Sequence, residues 1–485
     1  MKRAAAILAL LATSCATMEP KLGRPDPAVP ASWPAGDSAL RQSEAALPAL
    51  TYRDIFRDPR LQTLIGQALV KNRDLMIAAS NIAAAREQYR IQRAQQFPQV
   101  NAQAGVTATG DKAKNVSAQY QAGVSVPNFE IDLFGRLRSL THAQFQQYLA
   151  TEAGARATRL TLVADIANAW LDYAADSSLL VVSQQTVDTA QKSVRLTRLR
   201  LEGGIAPRTD LSQAEEILNQ AQANLAQQRT LVAQDVNALQ LLVGSPIDPA
   251  LLPTSIDQAG PTIGELPSGL SSEILLRRPD VLQAEFQLRA ANADIGAARA
   301  ALFPKITLTG LLGLASSALS GLFTGGALGW QVGANAAYTI FQAGAGHADV
   351  RLSEAQRNAA LATYQRAVQT AFREVSDALA RRATMDEQLA ATQRQQAAAA
   401  DVLQLTEARY RAGIDPFLNV LDAQRSYYGV QQTLVNTRLT AAQNRVALYQ
   451  SLGGDPLIAN APVCPVNYVS NGGNVTLETQ CPAAS

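Results

Sequence analysis

Groups able to do covalent chemistry are few in this chain: three cysteines and two histidines among 485 residues. Cys15 closes a positive start, Lys2-Arg3, and an apolar run from Ala4 to Ala12 that is too short to cross a bilayer. That pattern reads as an export signal. Cys464 and Cys481 stand in a Pro/Asn/Gly-rich tail. An exported compartment is oxidising, so a disulfide closing this loop is expected and would stabilise it by roughly 3 kcal/mol; two free thiols in a disordered tail is the bland reading. His142 and His347 are too few for a histidine-rich metal site, and each reads as a solvated or packing residue. No phosphate-binding glycine loop, zincin helix, paired-cysteine motif or nucleophile elbow is present. The expectation is therefore no enzyme activity, no cofactor and no metal, with any work on a substrate powered elsewhere. A net charge of +2 gives no field that favours nucleic acid.

The elements that carry these groups are written twice. Asp74-Leu75 through Gln96-Phe97-Pro98 reappears about 200 residues later as Asp280-Val281 through Leu302-Phe303-Pro304. Leu196-Thr197 through Gly203-Gly204-Ile205 likewise returns as Leu405-Thr406 through Ala412-Gly413-Ile414. Only 5% of the chain is aromatic, while Ala and Gln crowd it, which suits long helices meeting through small side chains. The expected organisation is a signal peptide at 1–14, an extended linker at 15–55, repeat one at 56–255, repeat two at 256–455, and a tail at 456–485.

After each Phe-Pro the period changes from helical to two. Val100, Ala102, Ala104, Val106 and Ala108 alternate with Asn101, Gln103, Gly105, Thr107 and Thr109. A second strand alternates Ala118, Tyr120, Ala122, Val124 and Val126 with Gln119, Gln121, Gly123 and Ser125. Two more are expected from Lys305 to Leu314 and from Trp330 to Phe341, so the strands fall at about 99–128 and 305–341. Aromatics such as Tyr120, Phe129, Trp330, Tyr338 and Phe341 lie near strand ends or faces, as membrane interfaces favour. Val106 and Val124 are expected to face lipid, Gln103 and Gln121 a lumen; a half-buried soluble sheet would show the same alternation. Four strands cannot close a barrel, which needs about eight or more, so a barrel reading demands oligomerisation.

Between the strands run helices expected over about 138–243 and 347–452, the longer of each pair reaching about 90 Å. Leu211, Leu218, Leu225, Val232 and Leu239 recur every seven residues, facing Leu180, Val187, Val194 and Leu201 at the same spacing. This predicts an antiparallel coiled-coil hairpin turning at Gly203-Gly204-Ile205-Ala206-Pro207, with Ala412-Gly413-Ile414-Asp415-Pro416 as its counterpart.

Leu11-Ala12-Thr13-Ser14-Cys15 resembles a bacterial lipobox, with Ala12 where Leu is usual and Ala16 after the cysteine favouring outer-membrane delivery. The resemblance implies acylation of the Cys15 thiol, so that the linker at 15–55 is lipidated; ordinary cleavage nearby is the alternative. Asp58-Pro59-Arg60-Leu61, Asn72-Arg73-Asp74-Leu75, Arg277-Arg278-Pro279-Asp280-Val281, Ala290 through Arg299, and Leu421-Asp422-Ala423-Gln424-Arg425 resemble the outer membrane factors of the TolC and NodT type over almost all of the mature chain. The resemblance implies a mainly α chain with a transmembrane β part. It implies a homotrimer whose four strands per chain form a 12-stranded barrel, continued by a periplasmic α-helical tunnel. It also implies a periplasmic adaptor at the tunnel tip, near Gly203, Gly204, Ile205, Gly413 and Ile414, and an inner-membrane pump, commonly of the proton-driven RND class.

A gate follows from the same resemblance. Leu418 and Asp422 match the family's hydrophobic and acidic constriction positions, Arg425 a neighbouring one, and Tyr410 and Asp210 positions used by closing contacts. Asn419 stands where some members carry a second acid, and Asp415 where some carry a closing Arg. Threefold copying of Asp422 makes a ring of negative charge that favours cations; a solvated carboxylate at a helix start is the plain alternative. The functional expectation is a passive exit duct of a tripartite efflux pump, lipid-anchored in the outer membrane of a Gram-negative bacterium. A type I protein-secretion duct and a pore-free coiled-coil lipoprotein are the alternatives.

Overall fold

The computed structural model describes residues 17–23, 29, 51–110, 116–265, 272–453, 455, 466–471 and 474–479. Cys15, Cys464, Cys481 and most of the expected linker lie outside the described residues. In chain order come α1 (Tyr52–Ile55), α2 (Pro59–Lys71), α3 (Arg73–Ala94), β1 (Asn101–Gly110), β2 (Val116–Ile131), α4 (Arg136–Glu202), α5 (Arg208–Val243) and α6 (Ile256–Ala259). There follow α7 (Pro279–Ala300), β3 (Lys305–Ser316), β4 (Leu328–Ala337), α8 (Ala345–Arg411), α9 (Phe417–Leu452) and a hairpin of β5 (Val466–Asn471) with β6 (Asn474–Thr479). The two longest helices, α4 and α8, have 67 residues each, about 100 Å at the α-helical rise. Contacts divide the chain into two compact units, one of 17–23, Asn81–Ala153 and Leu282–Ala367, the other of 51–80, Gly154–Val281 and Val368 onward.

The first unit holds an antiparallel sheet in the order β1-β2-β3-β4. Its register sorts side chains by polarity. Val106 is level with Tyr120, and Ala102 with Val124; Val124 is level with Leu312, and Leu312 with Trp330. Successive residues point to opposite faces, so one face carries Ala102, Val106, Val124, Leu312, Trp330 and Val332. The other carries Gln103, Thr107, Gln121, Thr309, Gln331 and Asn335, with Leu311 as an apolar exception. The apolar face is uncovered, with Trp330 77% and Val332 71% exposed. The outer edges of β1 and β4 have no strand partner among the described residues.

Two strand ends differ from the sequence expectation. β2 passes the expected end near 128 and runs on to Ile131 through a bulge between Val126 and Phe129. Three steps on β2 there oppose two on β3, Gly310 to Leu308, so one residue is extra. The insertion resets the alternation and keeps Phe129 and Ile131 on the apolar face. Pro127, which has no N–H for the ladder, sits in the bulge. β4 ends at Ala337 rather than Phe341; the chain then turns through Ala343 and Gly344, at φ of 50° and 82°, into α8.

The second unit holds the main core. Trp170 and Leu171 of α4, Leu61, Leu64 and Ile65 of α2, Leu239 and Val243 of α5, and Val446 and Tyr449 of α9 pack in one cluster. Asp58 caps α2 ahead of Pro59, accepting from the Arg60 backbone N–H at 2.9 Å, a position where the proline loses no helical bond. Burial alone would raise the Asp58 carboxyl, but hydrogen bonds and charge from Arg60 hold it below the usual carboxylate range. Arg60 in turn lies over the Trp170 ring at 5.7 Å.

The repeats share one more joint. Asn72, 3% exposed, donates from Nδ2 to the Leu242 carbonyl at 2.8 Å, while its Oδ1 accepts from Leu75 N–H at 3.0 Å. In repeat two Arg278 plays this part, donating from Nη1 to the Ser451 carbonyl at 2.8 Å and from Nη2 to Asp280 and Glu374, each at 2.8 Å. Gly244 and Gly453 end the returning helices at φ of 77° and 65°, and a Cβ on Gly244 would lie 2.5 Å from the Lys71 carbonyl oxygen.

Candidate functional site at the helical tips

The tips are built on two seams. Val187, Ala221 and Leu225 form one buried cluster with Leu180 and Leu218 against it. Val194 and Ala214 join Leu211, Leu218, Tyr410, Phe417, Val420 and Leu421 in another, so the seven-residue spacing does mark the inward face of α4 and α5.

Both turns end their long helix in the same way. Gly204 lies at φ 73° and Gly413 at φ 72°, a conformation that glycine adopts without steric cost. The N–H of Gly204 donates to Leu201 O at 3.0 Å and that of Ile205 to Arg200 O at 2.8 Å; Gly413 donates to Tyr410 O at 3.0 Å and Ile414 to Arg409 O at 2.9 Å. These paired bonds are the Schellman arrangement, which satisfies the last carbonyls of α4 and α8. Pro207 and Pro416 then stand at the N-caps of α5 and α9. Ile205 and Ile414 crown the turns, 70% and 63% exposed.

Phe417, Val420, Leu421 and Ala423 of α9 are buried, whereas Leu418, Asn419, Asp422 and Arg425 are exposed. Leu418, Asp422 and Arg425 recur at helical spacing on one open face. Leu418 is 52% exposed. Arg425 lies 4.0 Å from Glu216. Tyr410 is buried on Phe417, ring centres 5.1 Å apart, and its hydroxyl has no hydrogen-bond partner among the described residues. The Tyr410 hydroxyl is thus not joined to Asp210, which is half-exposed at the start of α5. Asp415 is bound by Arg409 at 2.7 and 3.0 Å, and the hydrogen bonds from Arg409 hold its carboxyl below the ordinary value.

A groove of about 480 Å³ runs along the tip, lined by residues including Lys192, Leu196, Glu407, Tyr410, Phe417 and Tyr427. Two features escape the sequence reading. Arg200 donates from Nη1 to Tyr410 O at 3.0 Å and stacks on the Tyr410 ring at 4.6 Å. Farther along the helices, Asp235 of α5 is pushed up to about 7 by burial and by the neighbouring carboxylates of Asp176 and Asp172; Gln443 donates to Asp172 at 2.7 Å. The repeated Arg ahead of each turn glycine was the available signal for Arg200; the acids carried none, because each is isolated in sequence. Among the described residues no cluster of metal-ligating side chains is present.

A sheet with one apolar face, one polar face and two open edges, in one chain with two long helical hairpins, is the subunit plan of a TolC-like outer-membrane channel. The profile of the outer membrane efflux protein family matches residues 64–245 and 270–454. The chain is 42% identical over 460 residues to the antibiotic efflux pump outer membrane protein ArpC of Pseudomonas putida, covering 93% of this chain and 94% of that one. The toluene efflux pump outer membrane protein TtgC of Pseudomonas putida is similar to the same extent, 42% over 460 residues with 93% and 94% covered. The open state of the MtrE outer membrane channel of Neisseria gonorrhoeae superposes with a TM-score of 0.81 at 34% identity, over 91% of this chain and 98% of that one. The chain belongs to the outer membrane efflux protein family: it is an outer-membrane efflux channel component and not an enzyme.

Proposed function

We propose that three copies of this chain close one 12-stranded barrel in the outer membrane and one periplasmic helical tunnel, forming the passive exit duct of a tripartite pump for small toxic compounds. The observation that carries this reading is the register of the β1-β2-β3-β4 sheet. Its apolar residues, Leu311 excepted, share one face and its two edges have no strand partner among the described residues, an arrangement stable in lipid only when each edge meets that of another copy. Leu418 and Asp422 then converge near the axis as an apolar and an acidic ring, Arg425 flanks them, and Asp210 and Tyr410 border the same tip.

The partners in this reading are a periplasmic adaptor and an inner-membrane pump of the RND class. The exposed Ile205 and Ile414, each beside a bare glycine turn at Gly203-Gly204 or Gly413, supply apolar knobs for the adaptor. Cys15, acylated, adds a lipid anchor, and Cys464 and Cys481 close the tail by a disulfide. The relatives named for antibiotic and toluene efflux support small apolar cargo over secreted protein. The test is deletion of the gene and complementation in its own strain. Expected is increased sensitivity to toluene and to apolar antibiotics, restored by the wild-type chain; unchanged sensitivity together with lost secretion of a protein would replace the reading by protein export.

A further inference from the structure

Arg200 and Arg409 hold the same place in the two repeats, each four residues ahead of the turn glycine, Gly204 or Gly413. Their contacts differ. Arg409 is bound within its own turn, Nε and Nη2 donating to the Asp415 carboxylate at 2.7 and 3.0 Å. Repeat one has Ala206 at the place of Asp415, so its turn offers Arg200 no carboxylate there. Arg200 reaches across to the other hairpin instead, Nη1 donating to Tyr410 O at 3.0 Å with the guanidinium carbon 4.6 Å from the ring centre.

The target suits a cation twice over. Tyr410 O lies in the last turn of α8, at the negative end of the helix dipole, and the aromatic face attracts the guanidinium. The place of Tyr410 in repeat one is taken by Leu201, which offers no such face. The contact is also built to release. Arg200 Nε and Tyr410 Oη are both shielded from solvent and both lack a partner among the described residues, so Arg200 itself ties the tips by one hydrogen bond and one stacked ring, beside the apolar cluster of Val194, Ala214, Phe417, Val420 and Leu421.

Resting on the reading of the tip as the closed end of a duct, we propose that Arg200 is a latch joining the two hairpin tips of one chain, and that Asp415 disarms the corresponding latch of repeat two by holding Arg409. Arg200 is a positioning residue: it seats the last turn of α8, and with it the start of α9 that carries Leu418 and Asp422.

The test uses the full-length protein with R200M, R200K and R409M. Methionine keeps an unbranched apolar stem and removes the charge and its fork. Hydrogen exchange at the amides of Gly413 and Ile414 should accelerate several-fold in R200M, and resting conductance in planar bilayers should rise. R200K should fall between R200M and wild type, and R409M should conduct as wild type does. Unchanged exchange in R200M overturns the tie. Unchanged conductance in R200M, or an equal rise in R409M, overturns its role as the latch of the gate. A wild-type protein that carries no current overturns the duct reading instead, and the exchange comparison then decides the tie on its own.

Discussion

Replacing Val124 by Arg puts a charge in the middle of the apolar sheet face, level with Ala102 on β1 and Leu312 on β3. Val124 is 44% exposed, so the groups that must accommodate a longer side chain there are lipid chains. At the midplane of a bilayer, Arg on the lipid face of a barrel costs about 2–4 kcal/mol. Three copies raise that to about 6–12 kcal/mol per assembly, enough to consume most of the stability of a marginal barrel. Gln121 lies on the opposite face, level with Gly105 and Ala315, where Arg would meet water in a lumen. The assay is the yield of detergent-resistant trimer in outer membranes, with the urea midpoint for folding into vesicles as the energetic readout. Val124→Arg should lose most of the trimer and Gln121→Arg should match wild type, and the pair Val106→Arg and Gln103→Arg should divide in the same way. Equal tolerance at all four positions would refute the facing of the sheet and with it the contact with lipid.

Asn72→Ala removes a buried donor to the Leu242 carbonyl and the cap on Leu75, and should cost about 1–3 kcal/mol; an unchanged thermal midpoint would mean that the α2–α3 joint contributes nothing. Burial, and after it the neighbouring Asp176 and Asp172, raise the folded pKa of Asp235 to about 7 from an unfolded value near 3.9. A raised carboxyl contributes stability that is present at low pH and lost as pH rises from about 4 through about 7. Asp235→Asn should flatten the fall in thermal midpoint between pH 5 and pH 8, whereas an identical fall in variant and wild type would contradict the assignment. Cys15→Ala should yield a chain without acyl groups that still assembles, since the barrel inserts by itself; mass spectrometry showing an unmodified wild-type N-terminus beyond Cys15 would remove the anchor from the account.

The sheet was legible because alternation is local: ten residues from Val100 to Thr109 suffice to sort two faces. The bulge in β2 was not, because the alternation breaks after Val126 and only the partner strand shows that one extra residue restores the phase. The hairpin seam was legible from its seven-residue spacing, and the tip turns from Gly204 and Gly413 recurring in like company. Contacts across hairpins were not. Arg200 and Tyr410 are 210 residues apart, and nothing near either says that the arginine passes over its own turn. Resemblance assigns Tyr410 and Asp210 to closing contacts at the tip; within one chain the buried tyrosine is engaged through its ring and its carbonyl, and its hydroxyl has no partner among the described residues. The pairing of Asp415 with Arg409 instead of a neighbouring hairpin follows from their position on the two sides of one turn.

The proposed duct, with its closed end set by Leu418 and Asp422, is tested most directly by single-channel recording of the purified protein in planar bilayers. Wild type should show a small, cation-preferring resting conductance. Asp422→Asn should weaken the cation preference and Leu418→Ala should raise the conductance, with trimer assembly unchanged in both. If both variants reproduce the wild-type conductance and ion preference, the exposed face of α9 does not line the constriction, and Asp422 is an ordinary solvated carboxylate.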